Sequence, residues 1–164
     1  MDLKKIAAIS GKPGLFKVVK PTRSGVIVES LDKKKRKVVV GATSRMSVLK
    51  EVSIYTTDQE GSVPLADVIL KIYQDFNEDI QKLNSKTSSA DLMAFLKSIV
   101  PDYDEEKVYV SDVKKLISWY KLIGENAPET LEELANGTHE EEEEKETKTE
   151  AKADEKEETE KKES

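Results

Sequence analysis

Apolar residues in the first part of the chain fall in short β-branched runs, at Gly14 to Lys20, Gly25 to Leu31, Arg36 to Ala42 and Val52 to Thr57. Turn-forming residues separate them, at Pro21 to Gly25, Asp32 to Lys35 and Gly41 to Ser47. The pattern predicts strands joined by tight connections. A brief fifth strand is expected at Ser62 to Leu65, turned back by Asp58-Gln59-Glu60-Gly61. Short strands at this spacing suggest a small barrel or curled meander. Ahead of them, Asp2 can cap a short helix that carries Leu3, Ile6 and Ala7 and stops at Gly11.

After Pro64 the period changes. Leu65, Val68, Ile69, Ile72, Tyr73 and Phe76 recur at three- and four-residue steps, the stripe of an amphipathic helix, with Ile80 and Leu83 as its extension. A second helix is expected from Ser88, paired with Asp91 as a cap, through Leu92, Phe95, Leu96 and Ile99 to Pro101. A third opens at Ser111 and carries Val113, Leu116, Ile117, Tyr120 and Ile123 to Gly124, a residue suited to a helix end. Thr130 with Glu133 starts a last helical turn. Beyond Leu134 no large apolar residue appears, so the Glu-, Lys-, Thr- and Ala-rich stretch 137–164 cannot offset its ordering entropy and is expected to be a disordered tail. The fold class is therefore α+β, with a small β-barrel domain over 1–62, a helical domain over 63–136 and an acidic tail over 137–164. A head of about 60 residues buries only about 60% of its unfolded surface. The Leu65 stripe is expected to pack on it or on the other helices.

Charge divides the chain the same way. Residues 1–62 hold 13 Lys and Arg against 6 Asp and Glu; residues 63–136 hold 8 against 14; residues 137–164 hold 6 against 13. A basic head followed by acidic segments suggests at least two functional surfaces. No stretch approaches the roughly 18 apolar residues that span a bilayer. The N-terminal run Ile6 to Ile9 falls short of the about 7 to 15 apolar residues of a secretion signal, so a cytoplasmic address is expected. The absence of cysteine removes disulfides, thiolate nucleophiles and thiolate metal ligands.

Three chemical candidates fail on spacing. Ser10-Gly11-Lys12-Pro13-Gly14 has the flavour of a phosphate loop, but Ile6 stands where the first glycine of that motif belongs, and Pro13 has no amide hydrogen. A tight turn is the better reading. Asp102, Asp104 and Glu106 open like a calcium loop, yet Lys107 and Val113 occupy the positions of its glycine and its last carboxylate. His139 is the only histidine and lies in the expected tail, away from any rigid frame for catalysis or metal binding. No enzyme, cofactor, metal or small-molecule substrate is expected.

Lys33, Lys34, Lys35, Arg36 and Lys37 are five consecutive cations where two strands should be joined. Splayed from a hairpin tip, they could follow a phosphate backbone by counterion release, with Lys12, Lys17, Lys20 and Arg23 extending the patch. The favoured reading is that they keep a strand end soluble and block edge pairing. No stacking platform accompanies them in sequence, and Trp119 reads as core or edge packing beside Tyr120.

The stretches "MDLKKIAAISGKPGLFKVVKPTRSGVIVESL", "SIYTTDQEGSVPL" and "VYVSDVKKLISWYKLI" together resemble an uncharacterised protein family of the Bacteroidetes, over about residues 1 to 124. In that family an N-terminal domain of unknown function precedes a small helical domain. The resemblance implies an SH3-like or Tudor-like β barrel at the N-terminus and brings no activity, cofactor or catalytic residue. Two functions stay open: a nucleic-acid or ribosome-associated binder using the basic head, with the acidic tail competing in cis, and a protein-interaction adaptor using a barrel groove or a helical face.

Overall fold

The computed structural model describes residues 2–137; the expected tail beyond them, with His139, lies outside the described residues. The chain enters through one 3-10 turn, Leu3–Lys5, whose cap Asp2 accepts a hydrogen bond from the Lys4 amide at 3.0 Å. The expected helix goes no further. Ile6–Ile9 is instead strand β1, with Ile6, Ala7 and Ile9 buried between strands on both sides. Pairing on both edges outweighs the weak helical preference of so short a segment.

β2 (Lys12–Thr22), β3 (Gly25–Ser30) and β4 (Lys37–Gly41) continue as an antiparallel meander. β5 (Met46–Val48) arises inside the stretch expected to be only a turn, and pairs with β1. The strand order is β4-β3-β2-β1-β5. Among the described residues no ladder joins β4 to β5, so the sheet is open. It curls nonetheless: Ile9, Phe16, Val28 and Val40 form one apolar cluster joined by Met46, which brings residues of both edge strands together. Leu15, next to Phe16, is buried in a different and larger cluster, as the two-residue period of a strand requires.

That larger cluster joins sheet to helices, running from Leu3, Ile6, Leu15 and Leu31 through Leu65, Ile72, Leu96 and Ile123 to Leu131. Between them β6 (Ser53–Tyr55) and β7 (Ser62–Pro64) form a hairpin. α1 (Leu65–Asp75) buries the expected stripe at Leu65, Val68, Ile69 and Ile72. The stripe breaks at Phe76, where φ is −126° and ψ 15°, so Ile80 belongs to a separate helix, α2 (Asn77–Lys82). α3 (Ser89–Ile99) opens on the expected cap, with Ser88 Oγ accepting from the Asp91 amide at 3.2 Å. α4 (Val110–Asn126) starts one residue before Ser111, where Asp112 accepts from the Tyr109 amide at 2.9 Å, and it continues through Gly124. Residues 128–137 are helical again.

Gly25 and Gly41 face each other at the start of β3 and the end of β4. A Cβ on Gly25 would lie 1.9 Å from the Val40 carbonyl oxygen, whereas one on Gly41 meets nothing within 4 Å. Gly25→Ala is therefore expected to destabilise by about 2–3 kcal/mol, through the backbone shift that overpacking forces. Gly41→Ala should stay within about 0.5 kcal/mol of the parent. Urea unfolding of both variants checks the β3–β4 register, which is wrong if the two glycines prove equally tolerant.

Candidate functional site

Asp32 builds the turn that carries the cationic run. Its Oδ1 accepts from the Ser30 hydroxyl at 3.0 Å and from the Lys34 and Lys35 amides at 2.8 and 3.0 Å. Ser30 Oγ in turn accepts from the Arg36 amide at 2.8 Å. This lattice holds Lys35 in the left-handed region at φ 45°, where a non-glycine residue needs local support. Desolvation is the largest single influence and raises the Asp32 pKa, but the Ser30 hydroxyl, the Lys34 and Lys35 amides and the charge of Arg36 together outweigh it and hold the carboxyl below its ordinary value. One ionised carboxylate thus anchors the turn through the Lys34 and Lys35 amides, and the side chains of all five cations stay exposed.

The run does not act as a block. Lys33, Lys34 and Arg36 line an open groove of about 690 Å³ with Lys12 from β2, over a floor that includes Phe16, Val38 and Leu122 of α4. Asp32 and Glu125 are the carboxylates in its lining. Lys35 and Lys37 do not line it. Lys37 lies across from Glu29, which lies across from Lys17, so these two cations flank one carboxylate on the sheet surface, an arrangement that favours strand pairing. Lys20 pairs across from Ile27, and Arg23 sits in the β2–β3 turn; neither lines the groove.

Ser10 and Gly11 are the turn between β1 and β2, and Lys12, Pro13 and Gly14 open β2; Gly11 and Gly14 stand at φ 79° and 82°, values that only glycine adopts readily. The Ser10 amide donates to the Arg45 carbonyl at 2.9 Å and fastens the β4–β5 connection beside it. A second cavity, of about 460 Å³, opens here. Ser10, Lys12, Arg45, Ser47, Lys115 and Trp119 are in its lining, which contains no carboxylate. Lys12 and Pro13 border both cavities, so the two adjoin across the turn. Among the described residues, no ion pair engages Lys12, Lys33, Lys34, Arg36, Arg45 or Lys115.

Arg45 and Lys115 escaped the sequence reading, which placed Trp119 as core or edge packing. Lys115 and Trp119 are four residues apart on α4, off its buried stripe of Val113, Leu116, Ile117, Tyr120 and Ile123, and that spacing was a usable signal. Arg45 carried none, because β5 finds its place only by pairing with β1.

A third cavity, of about 220 Å³, lies between β6 and α4, lined by Ile54, Leu96, Val108, Leu116 and, again, Trp119. At its mouth Lys107 Nζ stands 5.2 Å from the centre of the Tyr55 ring, which is 54% exposed. The acidic loop below it serves the fold: the Asp102 carbonyl accepts from the Thr57 amide and the Asp104 amide donates to the Tyr55 carbonyl, both at 2.8 Å.

Residues 3–49 match the domain of unknown function DUF5606, and residues 52–123 match the domain of unknown function DUF6852. Among solved structures, the chain is similar to a protein of Bacteroides vulgatus determined in solution by NMR, at 33% identity over 76% of this chain and 87% of that one, with a TM-score of 0.58. No curated protein matches. No helix among the described residues is long and apolar enough to cross a membrane. The two adjoining basic cavities draw on both matched segments, with Lys12, Lys33, Lys34, Arg36 and Arg45 in the first and Lys115 and Trp119 in the second.

Proposed function

We propose, from the premise that this chain belongs to the same family as the Bacteroides vulgatus protein and carries the two domains of unknown function in tandem, that it is a cytoplasmic, non-enzymatic binder of single-stranded RNA. The observation that carries the proposal is the line of exposed cations, outside any ion pair among the described residues, along two adjoining cavities. Such cations attract a phosphate backbone by releasing its condensed counterions, and this needs no base-specific contact. The head fits the role as a small SH3-like barrel opened between β4 and β5: the strand order and the apolar cluster shared by both edges support that description. The 13 carboxylates within residues 137–164 compete with phosphates in cis, because tethering keeps their effective concentration high.

Binding of a labelled oligouridylate, followed by fluorescence anisotropy, tests the proposal. With about four phosphates neutralised, log affinity should fall against log salt with a slope of roughly −3. Deleting residues 138–164 should tighten binding at low salt, and the gain should vanish near 1 M, where the Debye length is about 3 Å. No binding by the truncated chain even at low salt would remove the proposal.

A protein-interaction adaptor is the second reading, favoured by the third cavity and by the exposure of Tyr55 and Tyr109, 54% and 65%. It requires that partner capture survive nuclease treatment and depend on Tyr55 rather than on Lys33, Lys34 or Arg36.

A further inference from the structure

We infer that the cavity between the Ser10–Gly14 segment, Arg45 and α4 is a nucleotide subsite, in which the Trp119 indole stacks a single unpaired base while Lys12, Arg45 and Lys115 hold its phosphates. This deepens the RNA-binding proposal and rests on it.

Four observations converge. The lining supplies three cations from three separate elements, β2, the β4–β5 connection and α4, and no carboxylate to repel an anion. Trp119 is half-buried and lies off the apolar stripe of α4, so its ring contributes to a wall rather than to the centre of the core. Lys115 sits one helical turn before it on α4, and both residues line the cavity, which puts a cation and an indole on the same side of the helix. The volume of about 460 Å³ is within the range of about 300–1,000 Å³ usual for small-ligand pockets.

Chemistry narrows the ligand. A cluster of cations alone would suit any polyanion, but an indole beside it selects an anion with an aromatic group. A base within a duplex is already stacked on its neighbours, whereas a base in a single strand is free to lie on a side chain. The hydroxyls of Ser10 and Ser47 add donors and acceptors suited to a sugar or phosphate. Lys12 and Pro13 border both the subsite and the larger groove, so a strand stacked at Trp119 would cross them to reach Lys33, Lys34 and Arg36.

Trp119 is the only tryptophan in the chain, so its fluorescence reports on the two cavities it lines, and dependence on Arg45 and Lys115, of which only Lys115 also lines the other, assigns a change to this one. Full-length protein titrated with a short oligouridylate at low salt should lose tryptophan fluorescence with the same midpoint as the anisotropy change, and inorganic phosphate should not reproduce the loss. Trp119→Ala should weaken oligouridylate binding by about 5- to 100-fold, the range found when a stacking aromatic is removed. Trp119→Phe should retain most of the affinity. Arg45→Gln and Lys115→Gln alter exposed side chains and should each weaken binding several-fold, so the subsite is tested even if Trp119→Ala fails to fold. Lys86→Gln, exposed and outside these cavities, is the control. If the oligonucleotide binds with unchanged tryptophan fluorescence, and Arg45→Gln and Lys115→Gln bind like the parent, the subsite is overturned while the RNA-binding proposal stands. Absence of any binding overturns both.

Discussion

Ile72→Asp is expected to destabilise the chain by about 4 kcal/mol or more, enough to unfold most molecules at 37 °C if total stability is of the usual 5–15 kcal/mol. Ile72 is 0% exposed and lies midway along α1, in the cluster that also contains Leu3, Leu15 and Leu31 of the head and Leu96 and Ile123 of later helices. A carboxylate there would either stay ionised without a partner or take up a proton, and each alternative is costly away from water. The loss of packing around the missing isoleucine atoms adds to the penalty. Gln74→Asp, two residues on and exposed, should change stability by about 0.5 kcal/mol or less. Because one cluster joins sheet and helices, Ile72→Asp should lower the melting of strand and helix signals together. A variant whose sheet melts normally while its helices are lost would show that the head holds without α1.

Replacing Lys12, Lys33, Lys34 and Arg36 together by Gln should weaken oligouridylate binding about 100-fold at low salt and flatten the salt slope to what Arg45 and Lys115 still contribute, about −1. Each exposed charge contact contributes up to about 1 kcal/mol, and four of them line the groove. Folding should not suffer, because the turn beneath them is built by the Asp32 carboxylate, the Ser30 hydroxyl and backbone amides, none of which the substitutions remove. Lys35→Gln with Lys37→Gln should have a far smaller effect, since neither residue lines the groove and Lys37 lies across from Glu29. Equal losses from the two sets would mean that the run acts through total charge and not through the groove.

Period and composition sufficed where local rules governed. The α1 stripe from Leu65 to Ile72 and the Ser88–Asp91 cap were legible because i, i+3 and i, i+4 neighbours decide them. β1 was not. Leu3, Ile6 and Ala7 have helical spacing, and only the ladders to β2 and β5 make Ile6–Ile9 a strand. β5 was hidden for the same reason, since Met46-Ser47-Val48 is too short and too mixed to show a period. The break at Phe76 left no mark either, because Ile80 continues the apolar stripe across it.

At the candidate site the run Lys33 to Lys37 stood out as charge, but the selection among its members did not. That selection follows from how Asp32 folds the turn and from which cations α4 faces. Trp119 is 82 or more residues from the run in the chain, so sequence order could not show that its cavity shares Lys12 with the groove.

Titration of isotopically labelled full-length protein with oligouridylate, followed by amide and indole NMR shifts, tests the central claim most directly. The proposed interface predicts shifts gathered at residues 10–14, 30–36 and 45–47 and at the Trp119 indole, with little change at the far ends of β3 and β4 or at Ser88–Asp91. Shifts gathered instead around Tyr55, Val108 and Tyr109, or no shifts at low salt, would contradict it.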